Sequence, residues 1–358
     1  MPRSEPRILA ILTVKNEGAF LLDWLAHHRA AGFTDVLVLS NDCADGTDRM
    51  LDRLAAMGWL THVRNDGSHR KGPQWTALAR ADEHPLKAAA DWVLVLDIDE
   101  FVNVHAGDRT VQALLAALPG ATAIPLTWRL FGNCGVRAFE DRPVPEQFLR
   151  AAPAVMGWPW RAAMFKTLFL NDGSYGKLGV HRPRQPDPDR LGRQHWFDGS
   201  GRELRHAFHT GRVFSDYGQD NYRLVQLNHY PLGAMESYVL KSDRGRANRE
   251  AAATDLSYWV ERNLCAEDDH SILALSERTR PIRAELAADR VLGPLHDAAV
   301  AWRHRRFETL MGSEEWRGLY GRLIMTGPSR VLSPEEHGII AAYAARTSAE
   351  TERGGGEG

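Results

Sequence analysis

"DWVLVLDIDEF" (Asp91–Phe101) is the stretch on which the fold turns. Trp92 to Leu96 are apolar, and two acids follow, Asp97 and Asp99, with a single isoleucine between them. An unbroken apolar run of this length, bounded by polar residues, fits a strand buried on both faces. Carboxylates at i and i+2 on extended backbone point to one face, so both can reach one hard cation. Mg2+ and Mn2+ take one or two such oxygens from a protein and the rest from phosphates and water. On spacing alone the pair serves equally well as a solvated strand end, so its surroundings have to decide.

Upstream, strand and helix patterns alternate. "RILAILTV" (Arg7–Val14) is a strand-length apolar run. It precedes "GAFLLDWLAHHRAAG", with Leu21, Trp24, Leu25 and His28 on one helical stripe. "DVLVLS" (Asp35–Ser40) is a second buried strand, and "DGTDRMLDRLAAMG" a second helix facing inward through Met50, Leu51, Leu54 and Met57. "LTHV" is a short third strand. "GPQWTALARADEHPLKAAA" (Gly72–Ala90) reads as a helix opened by Pro73 and broken at Pro85. A helix near Val111–Leu118 and a strand, "ATAIPLTWRL", follow the acids. This alternation predicts an α/β fold with a mostly parallel sheet flanked by helices. Ligands of such sheets bind at the carboxyl ends of the strands, which is where Asp97 and Asp99 emerge.

Past Gly135 the rhythm is lost. Residues 136–230 hold short strand-like pieces, "AMFKTLFL" and "YRLVQLNHY", and a proline-rich "HRPRQPDPDR" that reads as an extended surface loop. From Met235 the chain turns helical, and "SPEEHGIIAAYAAR" opens with Ser333 as cap, Pro334 first and Glu336 closing a capping box. The expected organisation is one domain over 1–240, with a nucleotide-binding half (7–101) and an irregular acceptor-side half (102–240). A helical extension over 241–350 and a disordered tail over 351–358 complete it.

With 358 residues, 44% hydrophobic and 25% charged, the composition is that of an ordinary globular protein. A formal charge of -2 gives no polyanion signature, so no nucleic-acid partner is expected. No run is long and apolar enough to cross a membrane. The basic cluster "RHRRF" leaves peripheral membrane contact open, although a solvated helix face explains it better. Cys43, Cys134 and Cys265 are odd in number and far apart. They predict neither disulfide nor zinc site, and suit a cytoplasmic location.

The other strand ends carry polar loops, "TVKNEG" (Thr13–Gly18) and "SNDCADGT" (Ser40–Thr47). Asn, Asp and Gly make turns for their own reasons. Two such loops beside a D-x-D nevertheless favour a nucleotide pocket, with Lys15, Asn16, Glu17, Asn41 and Asp42 as candidates. "SHRKGPQW" adds Lys71 and Gln74 at a helix start, a plausible anion site.

The order apolar strand–"VKNEG", apolar strand–"SNDCADGT", "KG" and helix, then "WVLVLDIDEF" resembles the nucleotide-sugar-binding half of a GT-A glycosyltransferase, near family two and the related family ninety-two. The resemblance covers residues 7–101; where family two starts its second loop Asp-Asp-Gly-Ser, this chain has "SNDCADGT". It implies a GT-A fold, a nucleotide-sugar donor such as a UDP-sugar, and Mn2+ or Mg2+. It places uracil against Asn16, Glu17 and Asp42, a basic contact at Lys71, ribose and metal near Asp97, and the metal bridging the diphosphate on Asp99. "TWRLFGNCG" (Thr127–Gly135) resembles the sugar-facing stretch, and "LNHYPLGAMESYVLKSDRGR" (Leu227–Arg246) the closing segment. His229 is then a third metal ligand, while Lys241, Arg244 and Arg246 stabilise the departing diphosphate. A lone histidine is as readily a packed one, and the three cations as readily a polar helix face.

An inverting transferase needs a carboxylate to take the acceptor proton. Glu140 and Asp141 follow the sugar-facing stretch and are preferred over Asp198, Asp216 and Asp220. Polysaccharide, lipid-linked glycan and protein acceptors all fit. Two other readings compete. An Asp-x-Asp phosphatase or phosphotransferase usually carries its motif on the first strand, followed by threonine or valine, whereas here it ends the fourth and Glu100 follows. A non-catalytic nucleotide-sugar-binding protein would have less use for the retained acids and the Lys241–Arg246 cations.

Overall fold

The computed structural model describes residues 5–244 and 256–354. Eight strands form one sheet: β1 (Ile8–Val14), β2 (Asp35–Ser40), β3 (Thr61–Arg64), β4 (Trp92–Leu96), β5 (Glu100–Val104), β6 (Ala123–Leu130), β7 (Phe165–Leu170) and β8 (Val225–His229). Their order is β3-β2-β1-β4-β7-β6-β8-β5. The β3-β2-β1-β4 half is parallel throughout. In the other half β7 runs antiparallel to β4 and β6, β8 is parallel to β6, and β5 is antiparallel to β8. A mixed, mostly parallel sheet with helices on its faces and a helical C-terminal region is the expected Rossmann-like GT-A architecture.

The predicted strands and helices of residues 7–118 all form. Helix α1 (Gly18–Ala30) follows β1, α2 (Thr47–Ala56) follows β2, and α3 (Pro73–Asp82) follows β3. Pro73 opens α3, and the helix ends before Pro85, which starts a separate short turn of helix. Helix α4 (Val111–Ala117) precedes β6. Strand β5 was not expected from the sequence. It leaves directly after the acids, yet pairs at the far edge of the sheet, so the backbone turns away from β4 at Asp97–Asp99.

The proline-rich loop also differs from expectation. Arg184–Pro186 pairs with Tyr175–Lys177, and Pro188–Leu191 is a helical turn capped by Asp187. The C-terminal half supplies α5 (Met235–Arg244), α6 (Ser276–Ala288), α7 (Leu292–Met311), α8 (Glu314–Met325) and α9 (Pro334–Gly354). The capping box on α9 is made as read, with Glu336 N–H donating to Ser333 Oγ at 3.2 Å and Ser333 N–H to Glu336 at 2.8 Å. Because α9 runs to Gly354, the expected tail begins inside a helix; residues 355–358 lie outside the described residues.

The cysteine expectation is overturned. Cys134 and Cys265 form a disulfide, with Cα atoms 6.0 Å apart, and Cys43 alone is free. The two half-cystines are 131 residues apart, so chain spacing could not announce what the fold brings together. The cysteine pattern thereby ceases to favour a reducing compartment. Among the described residues no helix is long and apolar enough to cross a membrane.

Candidate active site

The split in the sheet builds the site. Strand β4 pairs with β1 along its whole length, from Trp92 to Leu96, but with β7 only at Trp92 and Val93. Beyond Val93 the two strands part. Continuing the antiparallel register brings Lys166, near the start of β7, alongside the end of β4. Its ammonium, fully buried, lies 2.8 Å from Asp97 and 3.5 Å from Glu100. Trp24 on α1 fastens the turn from the other side by donating its indole N–H to the carbonyls of Asp97 and Glu100, at 3.2 and 3.1 Å.

Glu100 has no solvent exposure and accepts from Trp128 Nε1 at 2.7 Å and from Asp97 N–H at 2.9 Å. Burial pushes its carboxyl up to about 8; Lys166 opposes this, while Asp97 and Asp99 add to it. Two acids share one ammonium here, and Asp97 holds the shorter contact, so Glu100 is the one left to take a proton. Lys166 stays charged, because the attraction of Asp97 and Glu100 outweighs its burial.

Asp99 faces the opposite way. Lys241 on α5 donates to it at 2.7 Å and to the Pro231 carbonyl at 2.8 Å. His229 Nε2, at the end of β8, is 3.7 Å from Asp99 Oδ1. Burial alone would raise the Asp99 carboxyl; Lys241 and His229 overcome it and hold the group well below the usual carboxylate range. Burial holds the imidazole of His229 below its ordinary value despite Asp99, which favours the neutral form that can ligate. Arg244, one turn further along α5, pairs with Glu17 and donates to the Lys15 carbonyl at 2.8 Å.

Glu17, Asp97, Asp99, His229, Lys241 and Arg244 border one open cleft of about 1700 Å3, open solvent included, at the carboxyl ends of β1, β2 and β4. Of the expected residues, Lys15, Glu17, Asn41, Gln74, Asp97, Asp99, His229, Lys241 and Arg244 line it together. Asn16 and Asp42 do not, and their side chains tie loops instead. Asn16 Oδ1 accepts Ala44 N–H at 2.6 Å, and Asp42 Oδ1 accepts Gly67 N–H at 3.0 Å. Both take the left-handed backbone that Asn and Asp tolerate, at φ 55 and 44°. Lys71 is exposed and outside the lining, and Arg246 lies outside the described residues. Glu140 is exposed beside Arg142 at 3.3 Å, and Asp141 is taken by Arg283 at 2.8 Å and His296 at 3.1 Å; neither lines the cleft. Asp198 and Asp216 are likewise paired, with Arg202 and Arg212.

The expected metal trio is not gathered: among the described residues no three His, Cys, Asp or Glu side chains converge to hold an ion. Asp97 is turned to Lys166, which leaves Asp99 and His229 as the converging pair. Among the cleft residues not singled out as site candidates are Asn65 and Tyr258, and Trp128, which lies in the stretch read as sugar-facing, also lines it. Asn65 is 1% exposed, its amide donates to the Pro73 carbonyl at 3.0 Å, and its Oδ1 has no partner among the described residues. A lysine inside "FKTLFL" was the one visible hint of Lys166.

No protein-family model matches the chain, and no curated protein does. Among solved structures it is similar to glucosyl-3-phosphoglycerate synthase from Mycobacterium tuberculosis in complex with Mn2+ and uridine-diphosphate-glucose. The two are 20% identical over 35% of this chain and 45% of that one, with a TM-score of 0.26. A second structure, that of a mycobacterial protein, is 19% identical over 35% of this chain and 42% of that one, with a TM-score of 0.24. The chain thus spans less than half the length of these solved structures.

Proposed function

We propose that this chain is a glycosyltransferase that takes a sugar from a nucleoside diphosphate donor, a UDP-sugar first among them, and passes it with inversion to a hydroxyl acceptor. The observation that carries the reading is the convergence of Asp99, His229, Lys241 and Arg244 in one cleft with a polar, strand-end pocket opposite them. The pocket end, with Lys15, Asn41, Asn65 and Gln74, takes the base and ribose. Asn65 Oδ1 is a buried acceptor without a partner among the described residues, and an unsatisfied acceptor is costly until a donor such as the uracil N3–H reaches it.

The diphosphate then lies beside Lys241 and Arg244. Both cations are preorganised, held by Asp99 and Glu17. Positive charge fixed where negative charge develops on a leaving group lowers the barrier to its departure. Asp99 and the neutral His229 fit a divalent cation that draws its other ligands from phosphate and water, and such an ion would neutralise charge on the leaving diphosphate. Asp97, held by Lys166, fixes the turn and faces the ribose side. Glu140 remains the candidate base, since it follows Phe139, which lines the chamber next to the cleft; Asp141 is already engaged. Glycan, lipid-linked and protein acceptors all suit this reading.

Calorimetric titration of UDP, GDP and dTDP, each with Mn2+ and with EDTA, tests it. UDP is expected to bind preferentially, more tightly with Mn2+, and Asp99→Ala to abolish the Mn2+ dependence. Asn65→Ala is expected to weaken UDP by about tenfold, the worth of one buried hydrogen bond. Absence of binding by any nucleotide under either condition would overturn the proposal.

A further inference from the structure

Behind the cleft lies a second chamber of about 850 Å3, open solvent included. It shares Glu17, Ile98, Asp99, Lys241 and Arg244 with the cleft, so the Glu17–Arg244 and Asp99–Lys241 pairs form the wall between the two spaces. The rest is largely apolar, from Phe20, Phe139, Phe148, Leu232, Leu240 and Trp302.

One charge in this chamber is unmatched. Arg303, on α7, is 6% exposed. Among the described residues it forms no hydrogen bond or ion pair, and its Nε is buried without a partner. It is held only by two aromatic faces, 4.5 Å from the Phe20 ring centre and 4.8 Å from that of Phe139. The acids that act on it are committed elsewhere: Glu17 to Arg244, Glu236 to Phe139 N–H at 3.0 Å, and Asp45 to Gly18 N–H at 3.0 Å and Thr47. Burial lowers its pKa to about 10, which still leaves the guanidinium charged at neutral pH. A buried cation without a counter-charge is costly, and the missing partner is an anion.

We propose that this chamber binds an organic anion with an apolar body, its carboxylate or phosphate on Arg303 and its hydrocarbon against Phe20, Phe139 and Trp302. The shared wall puts such a ligand beside the donor cleft, where it is the acceptor; that role rests on the transferase reading, whereas the anion site does not.

Fluorescence titration of the full chain with anilinonaphthalene sulfonate, and with uncharged phenylnaphthylamine, tests the site. The anionic probe is expected to bind wild type saturably, and Arg303→Met to weaken it by about tenfold or more, as a lost charge-assisted contact does, while the neutral probe is unaffected. Arg303→Lys, which keeps the charge, should retain most of the anion binding. Ala234→Phe places bulk in the chamber lining and should exclude both probes. Equal anion binding by wild type and Arg303→Met, or probes still bound in Ala234→Phe, would overturn the proposal. If Arg303→Met does not fold, Arg303→Gln, titrated with both probes, takes its place. UDP titrated into the same samples separates the two readings: probe binding that depends on Arg303 without UDP binding would leave the anion site standing and remove the transferase.

Discussion

At the scale of single residues, the site is organised by cations that neutralise acids pair by pair, and the pairs differ in kind. Lys241 and Asp99 border the cleft and are partly exposed, at 27% and 22% of their side chains, so they can exchange partners when phosphate arrives. Lys166 and Glu100 have no exposure at all and cannot. Removing one partner of a buried pair strands the other charge, at a cost of about 3–5 kcal/mol, whereas replacing both partners with neutral groups of similar size costs far less. Lys166→Ala should therefore lose about that much unfolding free energy in denaturant titration. Lys166→Met combined with Asp97→Asn should recover much of it. Full loss in the double variant as well would show that the network acts through packing rather than charge. The same distinction explains what the sequence revealed. Asp99, His229 and Lys241 stand in polar or strand-ending positions and were legible. Lys166, Asn65 and Arg303 take their meaning from what buries them, which no local pattern records. Asn16 and Asp42 were read as ligand contacts because turn-forming and ligand-binding residues are the same types.

At the scale of elements, α1 shows why periodicity located helices better than it described their surroundings. Leu21, Trp24, Leu25 and His28 face inward as read, but Ala19, Asp23, Ala26, His27 and Ala30 are buried as well. The helix is enclosed by the sheet on one side and by α6 and α7 on the other, and a helix buried all round has no single stripe to read. Its two histidines pay for this position in protonation. His27 donates Nε2–H to the Val102 carbonyl at 2.7 Å, and His28 donates Nδ1–H to the Trp24 carbonyl at 2.8 Å. Burial pulls His27 down to about 4, and burial with the neighbouring His27 holds His28 well below its ordinary value. A histidine whose folded pKa lies below its unfolded value of 6.5 contributes stability that is lost as pH falls through that interval. The His27 contribution to unfolding free energy should therefore be constant above pH 6.5 and decline toward pH 4, by about 3 kcal/mol, while Glu100, pushed up to about 8, changes stability in the opposite sense as pH falls below 8. His27→Gln keeps a donor for Val102 and should reduce the slope in that window. An unchanged slope would place the acid sensitivity on other groups. The strands were legible for the converse reason: buried parallel strands are short, uniform apolar runs, and β5 was missed because the acids interrupt the run that contains it.

At the scale of the whole molecule, the C-terminal helices are part of the same packed body as the sheet. A Cβ on Gly18 would come within 2.8 Å of Ala299 Cβ on α7, and Arg53 on α2 pairs with Asp289 just ahead of it. The second long-range tie is covalent. Gly132 lets the segment after β6 approach Leu264 and Cys265 so closely that a Cβ there would be 2.7 Å from the Leu264 carbonyl oxygen. Asn133 N–H donates to Asn263 Oδ1 at 2.8 Å, and its amide donates to the Gly233 carbonyl at 2.6 Å, at the edge of the Arg303 chamber. The Cys134–Cys265 bond closes a loop that spans 131 positions, and the unfolded chain loses most freedom when such long loops are closed. Reduction, or Cys134→Ser with Cys265→Ser, should lower unfolding free energy by roughly 2–5 kcal/mol. The folded contacts around Asn133 and Asn263 do not need the bond, so the reduced protein should keep its probe and nucleotide affinities at temperatures where it stays folded. Denaturant titrations with and without dithiothreitol read the first effect, and repeating the fluorescence titration on reduced protein reads the second. A reduced chain of unchanged stability would mean that the hydrogen bonds alone hold the segments together; one that stays folded but loses the anionic probe would mean that the bond itself sets the shape of the chamber.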